Sequence, residues 1–173
     1  MIRILLASAT TALALLVTSC ADDPHQGYSF SQSFRTDVKT ISVPVWHNNT
    51  FYPGLDAKLG QALVAEINKT TPYRVTSGDG ATSVLEGTIV SAEMKKLSTG
   101  RESGLVQELS FEIVVDFTWK DNRTGKVLTA RKNFSAARSF APARGVGERI
   151  DVGEDAAAQQ LAKDIIGEMR SGW

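Results

Sequence analysis

The stretch Leu109-Ser110-Phe111-Glu112-Ile113-Val114-Val115-Asp116-Phe117-Thr118-Trp119 carries an apolar side chain at every odd position. Ser110, Glu112, Asp116 and Thr118 fill the even positions, and only Val114 is off pattern. A period of two places the two sets on opposite faces of a β-strand, one buried and one wetter. Such alternation belongs to an antiparallel sheet covered on one side. The strand is predicted over Leu105 to Trp119.

Its neighbours extend the pattern. Lys120-Asp121-Asn122-Arg123-Thr124-Gly125-Lys126 reads as a hairpin loop, with Gly125 suited to a left-handed position. Val127 to about Arg138 is the returning strand. On the other side, Thr82 to Leu97 forms a third long strand, with Leu85, Gly87 and Ile89 on one face and Val84, Val90 and Met94 on the other. Ser98, Gly100, Ser103 and Gly104 supply its turn. Strands this long reach roughly 40–50 Å at about 3.3 Å per residue. A ribbon of that shape suits lying along a partner.

Upstream, residues 39–46 alternate through Ile41, Val43 and Val45, and Pro44 predicts an edge position or a bulge because it has no N–H to donate. A helix is expected from Pro53 or Gly54, with Leu55, Leu59, Ala62, Leu63, Glu66 and Ile67 at three- and four-residue spacing. Thr70-Thr71-Pro72 ends it. Tyr73-Arg74-Val75 reads as a short strand. Phe140 to Gly153 reads as a loop, and Glu154 to Arg170 as a second helix with Ala157, Leu161, Ile165 and Met169 inward. The acidic start, Glu154 and Asp155, complements the helix dipole. The order β-α-β-β-β-β-α predicts an α+β two-layer sandwich. Two helices pack on one face of a mixed, mainly antiparallel sheet of four to five strands.

The N-terminus carries a different signal. Arg3 precedes an apolar run, Ile4 to Val17, and Leu16-Val17-Thr18-Ser19 leads into Cys20, the only cysteine. This is signal-peptide anatomy, too short to span a bilayer comfortably. The end of the segment resembles the bacterial lipobox. That resemblance implies cleavage before Cys20, a diacylglycerol on its thiol and an acyl chain such as palmitate on the new amino end. A plain signal peptide with a stray thiol is the alternative, disfavoured because an unpaired cysteine is a liability in an oxidising compartment. The expected organisation is residues 1–19 as signal peptide, 20–37 as lipidated tether and 38–173 as one domain. Ala21, where Asp favours inner-membrane retention in Gram-negative lipoproteins, points to the outer membrane.

Composition bounds the function. Cleavage removes residues 1–19, of which only Arg3 is charged, leaving 154 residues with 18 basic against 19 acidic side chains. Such a balance gives no electrostatic basis for binding nucleic acid. His25 and His47 stand apart, no second cysteine remains, and so metal-ligand spacing is absent. No catalytic set and no cofactor motif emerges: the glycines of 78–80 and 145–147 lack the context of phosphate loops. Glu112 and Asp116 share a strand face and suggest an acid/base pair, against the blander reading of a solvated face. The sequons at Asn48, Asn68, Asn122 and Asn133 fit turn chemistry in a bacterial protein. Lys95, Lys96 and Arg101, with Arg131 and Lys132, flank the long strands and are candidates for contact with anionic lipid or an acidic partner. Trp46, Phe51 and Tyr52 form an aromatic group read as core more readily than as a binding face.

Gly27-Tyr28-Ser29-Phe30 comes first, followed by Val43-Pro44-Val45-Trp46-His47-Asn48-Asn49-Thr50 with Pro53-Gly54-Leu55 and the helix after it. In that order they resemble the Gly-Tyr-x-Phe start and the opening of the LptE-type lipopolysaccharide-assembly lipoproteins. Val84-Leu85-Glu86-Gly87-Thr88-Ile89 resembles their A-x-L-x-G-x-I strand, and Asp121 to Leu128 their hairpin. The likeness covers about residues 27–170. One departure is the six residues, Ala21 to Gln26, between Cys20 and Gly27. The resemblance implies a non-enzymatic outer-membrane lipoprotein that assembles and plugs the LptD-type β-barrel, with contact to lipopolysaccharide. Its domain would face the periplasm or lie inside the barrel. A lipid-anchored regulator of a cell-wall synthase or secretion system is the alternative, and a small hydrolase a third.

Overall fold

The computed structural model describes residues 34–78, 80–100, 106–141 and 150–170. Six strands form one mixed sheet: β1 Thr40–Ser42, β2 His47–Asn48, β3 Arg74–Val75, β4 Ser83–Thr99, β5 Val106–Asp121 and β6 Val127–Phe140. Two helices, α1 Leu55–Thr70 and α2 Ile150–Glu168, complete the expected α+β two-layer arrangement. The strand order is β3-β1-β4-β5-β6, with β2 also on β4. β1 lies parallel to both β3 and β4, whereas β4, β5 and β6 are successive antiparallel neighbours.

Alternation in β5 has the predicted consequence. Phe111, Ile113, Val115, Phe117 and Trp119 are buried against the helices. Fully burying such side chains contributes about 1.5–3 kcal/mol each. Leu55, Leu59, Leu63 and Ile67 come down from α1, and Ala157, Leu161, Ile165 and Ile166 from α2. Thr71 Oγ1 closes α1 by donating to the Ile67 carbonyl at 2.8 Å, and Pro72 follows. Gly125 has φ 70° in the β5–β6 turn, the left-handed conformation expected of it.

Four local differences have physical causes. The first strand is only three residues long because Pro44 cannot donate to the ladder; the chain leaves β4 after Ser42 and returns as β2. β2 is the strand beyond the four or five expected. That interruption reverses the expected face: Val45 is 84% exposed and Trp46 buried. In β4 a register shift at Val90, between Ile89 and Ser91, turns Met94 to the core side opposite Phe111. Last, α2 begins at Ile150, four residues before the expected start. The other glycines of the 140–153 segment, and the turn at 101–105, lie outside the described residues.

Candidate interaction surface

The helices cover one face of the sheet and leave the other to solvent. Along β5 that outer face presents Ser110, Glu112, Val114, Asp116, Thr118 and Lys120, all half-buried. Glu86, Thr88, Glu93 and Lys95 lie beside them on β4. Glu93 and Glu112 are directly opposite each other, a repulsive pairing in isolation. Lys95 relieves it, with Nζ 2.5 Å from Glu112 and 3.9 Å from Glu93. The carboxylates raise the Lys95 ammonium above its ordinary pKa, chiefly through the hydrogen bond to Glu112. A second cross-strand tie joins Lys120 to Glu86 at 2.7 Å.

The acid/base pairing suggested for Glu112 and Asp116 is not realised as such. Glu112 is held by Lys95, while Asp116 Oδ1 accepts the backbone N–H of Asn133 at 2.7 Å. That bond seats a bulge in β6, where Lys132 and Asn133 oppose the single residue Asp116 between the pairs Val115–Phe134 and Phe117–Arg131. Asn133 takes φ 51°, which asparagine tolerates better than most residues. β6 is an edge strand, and a bulge beside two cations discourages pairing with another chain.

The basic candidates do not converge. Lys95 belongs to the outer-face charge ladder, whereas Lys96, opposite Leu109, is exposed farther along the ribbon. Arg131 turns towards the helices and meets Glu168 of α2 at 2.6 Å. Lys132 is exposed at the bulge with no carboxylate partner among the described residues. Arg101 lies outside those residues, as do His25 and Cys20. The aromatic group divides as well. Trp46 is buried, Tyr52 meets Phe111 edge-on at 4.9 Å, and Phe51 is wholly exposed. Trp46 packs on Gly87, and its buried Nε1 meets no acceptor among the described residues. Gly87 was the available signal for this contact, since glycine inside a strand often marks a close approach.

Residues 38–169, the span of both helices and all six strands, match the LptE family, described as Lipopolysaccharide-assembly. The chain belongs to this family. Membership places this LptE chain in lipopolysaccharide assembly, as the sequence motifs implied. No curated protein sequence matches it. Its fold is similar to that of CT253 from Chlamydia trachomatis, at TM-score 0.53 and 10% identity, over 75% of this chain and 94% of that one. It is also similar to a PelC dodecamer, in a point-substituted form, from Paraburkholderia phytofirmans, at TM-score 0.52 and 16% identity, over 80% and 93%. A lipoprotein from Caulobacter crescentus aligns at TM-score 0.50 and 13% identity, over 75% and 86%. At such identities the likeness is one of fold. No helix among the described residues of this LptE chain is long and apolar enough to cross a membrane.

Proposed function

We propose that this LptE chain is a lipoprotein acylated at Cys20 after removal of residues 1–19. Held at the outer membrane, it assembles and plugs an LptD-type β-barrel that carries lipopolysaccharide to the cell surface. The family match over 38–169 carries this reading, because it spans the whole two-layer domain. The shape supports it. β4 and β5 run 17 and 16 residues, roughly 50 Å, and offer a long uncovered face to a surrounding wall. The role is non-enzymatic. In support, Glu112 and Asp116, the carboxylates best placed for acid/base work, are engaged by Lys95 and by the Asn133 N–H.

Purification of the chain from its native membranes under mild detergent tests the partner. A large outer-membrane β-barrel is expected in stoichiometric yield; recovery of a cell-wall synthase or secretion component instead overturns the assignment. Cys20→Ala tests the anchor separately, and is expected to release the domain from the membrane fraction.

A further inference from the structure

We propose that the end of the domain from which the chain runs back to Cys20 is a docking surface for anionic phospholipid headgroups. The proposal rests on acylation of Cys20. Phe34 is the first of the described residues, and its ring meets Tyr73 edge-on at 5.7 Å. Tyr73 lies in turn 5.8 Å from Trp119 in the core. The Arg35 N–H donates to the Tyr73 hydroxyl at 2.9 Å, so the backbone is fixed there as well. Thirteen residues, Ala21 to Ser33, separate this point from Cys20. The fourteen steps from Cys20 to Phe34, at no more than about 3.6 Å each, keep it within about 50 Å of the acylated residue.

The charges around that point are of one sign in excess. An open groove is lined by Phe34, Arg35, Val38, Lys39, Pro72 and Arg74. The Arg74 N–H donates to the Lys39 carbonyl at 3.0 Å, which ties together the two chain segments that bring these cations to the groove. Arg170 lies 5.8 Å over the Phe34 ring. Asp37 is occupied by Arg35, in a two-pronged contact of 3.0 and 2.7 Å. Lys39, Arg74 and Arg170 are exposed and meet no carboxylate among the described residues. Three cations without a carboxylate partner, around an apolar floor of Phe34, Val38 and Pro72, match the headgroup layer, where phosphates sit above the acyl boundary. None of the three closes an ion pair among the described residues, and only Arg170, over the Phe34 ring, has a contact that holds its charge in place. The anchor supplies proximity, and the surface fixes which end of the domain meets the bilayer.

Flotation of unacylated residues 21–173 with vesicles at low ionic strength is the test; among the described residues the buried core lies within 38–169 and Phe34 packs against it, so this chain keeps its fold. Binding is expected to vesicles of phosphatidylethanolamine with phosphatidylglycerol and not to phosphatidylcholine alone, and to weaken as salt is added. Each of Lys39→Gln, Arg74→Gln and Arg170→Gln is expected to reduce partitioning about fivefold, and the triple variant about a hundredfold. Lys163→Gln, exposed on α2, serves as the charge-matched control and leaves binding unchanged. Equal binding to neutral vesicles overturns the proposal. So does an undiminished triple variant, an equal loss in the control, or binding only when lipopolysaccharide is present. Urea midpoints equal to wild type establish that each variant is folded. The Cys20→Ala fractionation reads the anchor alone, so failure of the surface and failure of the anchor are told apart.

Discussion

The indole of Trp46 lies directly on Gly87. A Cβ at Gly87 would stand 2.7 Å from Trp46 Cζ3 and 2.6 Å from the carbonyl oxygen of Asp116. One neighbour is a buried ring and the other is backbone of the central strand, so neither yields easily. The contact explains why a residue of poor strand propensity sits in the middle of β4. It also lets the Val43–Trp46 crossing turn its aromatic side chain inward.

Gly87→Ala is therefore expected to lower the unfolding free energy by about 1–3 kcal/mol, the range for overpacked cores. Trp46→Ala is expected to cost about 3–5 kcal/mol by leaving a cavity. Urea titration followed by circular dichroism reads both. A Gly87→Ala protein as stable as wild type would show that the ring has room to move.

At the β6 bulge, Asp116→Ala removes the acceptor for the Asn133 N–H and is expected to cost about 1–2 kcal/mol. Asn133→Gly keeps φ 51° accessible and is expected to be near neutral, whereas Asn133→Val is expected to lose about 1–2 kcal/mol to backbone strain. Thermal melts of the three variants distinguish a bulge held by conformation from one held by the side chain alone.

Gly153 lies inside α2, where glycine costs about 0.5–1 kcal/mol relative to alanine. A Cβ there would run into the Phe140 ring at the end of β6, with Cδ1 at 2.7 Å. A double-mutant cycle is expected to reveal the coupling. Gly153→Ala destabilises the wild-type protein, and stabilises the Phe140→Ala variant by about the helix increment. Additive effects would place the ring elsewhere in solution.

Asp121 contributes to the acid limb of stability. Its carboxylate accepts the N–H groups of Arg123 at 2.7 Å and Thr124 at 3.2 Å, which hold its pKa below the ordinary carboxylate value. The folded pKa is the lower one, so the contribution is complete above the unfolded value of about 3.9 and is lost as pH falls through the folded value. Asp37, depressed by its hydrogen bond to Arg35, acts in the same direction. Urea midpoints between neutral pH and strong acid are expected to fall below about pH 4 for wild type. A shallower fall is expected for Asp121→Asn; parallel curves would remove Asp121 from the acid transition.

Much of the fold is legible in the chain because period and punctuation are local. The burial of Phe111 to Trp119, the left-handed Gly125 and the stop of α1 at Thr71-Pro72 each follow from residues within one element. Interruptions shift such patterns invisibly. Pro44 flips Val45 and Trp46, and the irregularity at Val90 moves Met94 to the opposite face, since a one-residue slip reverses every side chain beyond it. Candidate contacts were the least legible. Lys95, Lys96, Arg131 and Lys132 look alike as charges near strands, yet one neutralises a carboxylate pair, one meets a helix, and two meet no carboxylate among the described residues.

By itself the sequence determined the element types, the face of β5 that is buried, and the family to which the chain belongs, because hydrophobic spacing and short motifs are properties of neighbouring residues. Tertiary structure decided which charges are spent. Glu112 and Lys95 are 17 residues apart, as are Asp116 and Asn133. Arg131 reaches Glu168 from a different layer, and Tyr73 receives Phe34 from 39 residues earlier in the chain. An ion pair or a ring contact acts over a few ångströms of space whatever the separation along the chain, so only the packed sheet and helices could assign those partners.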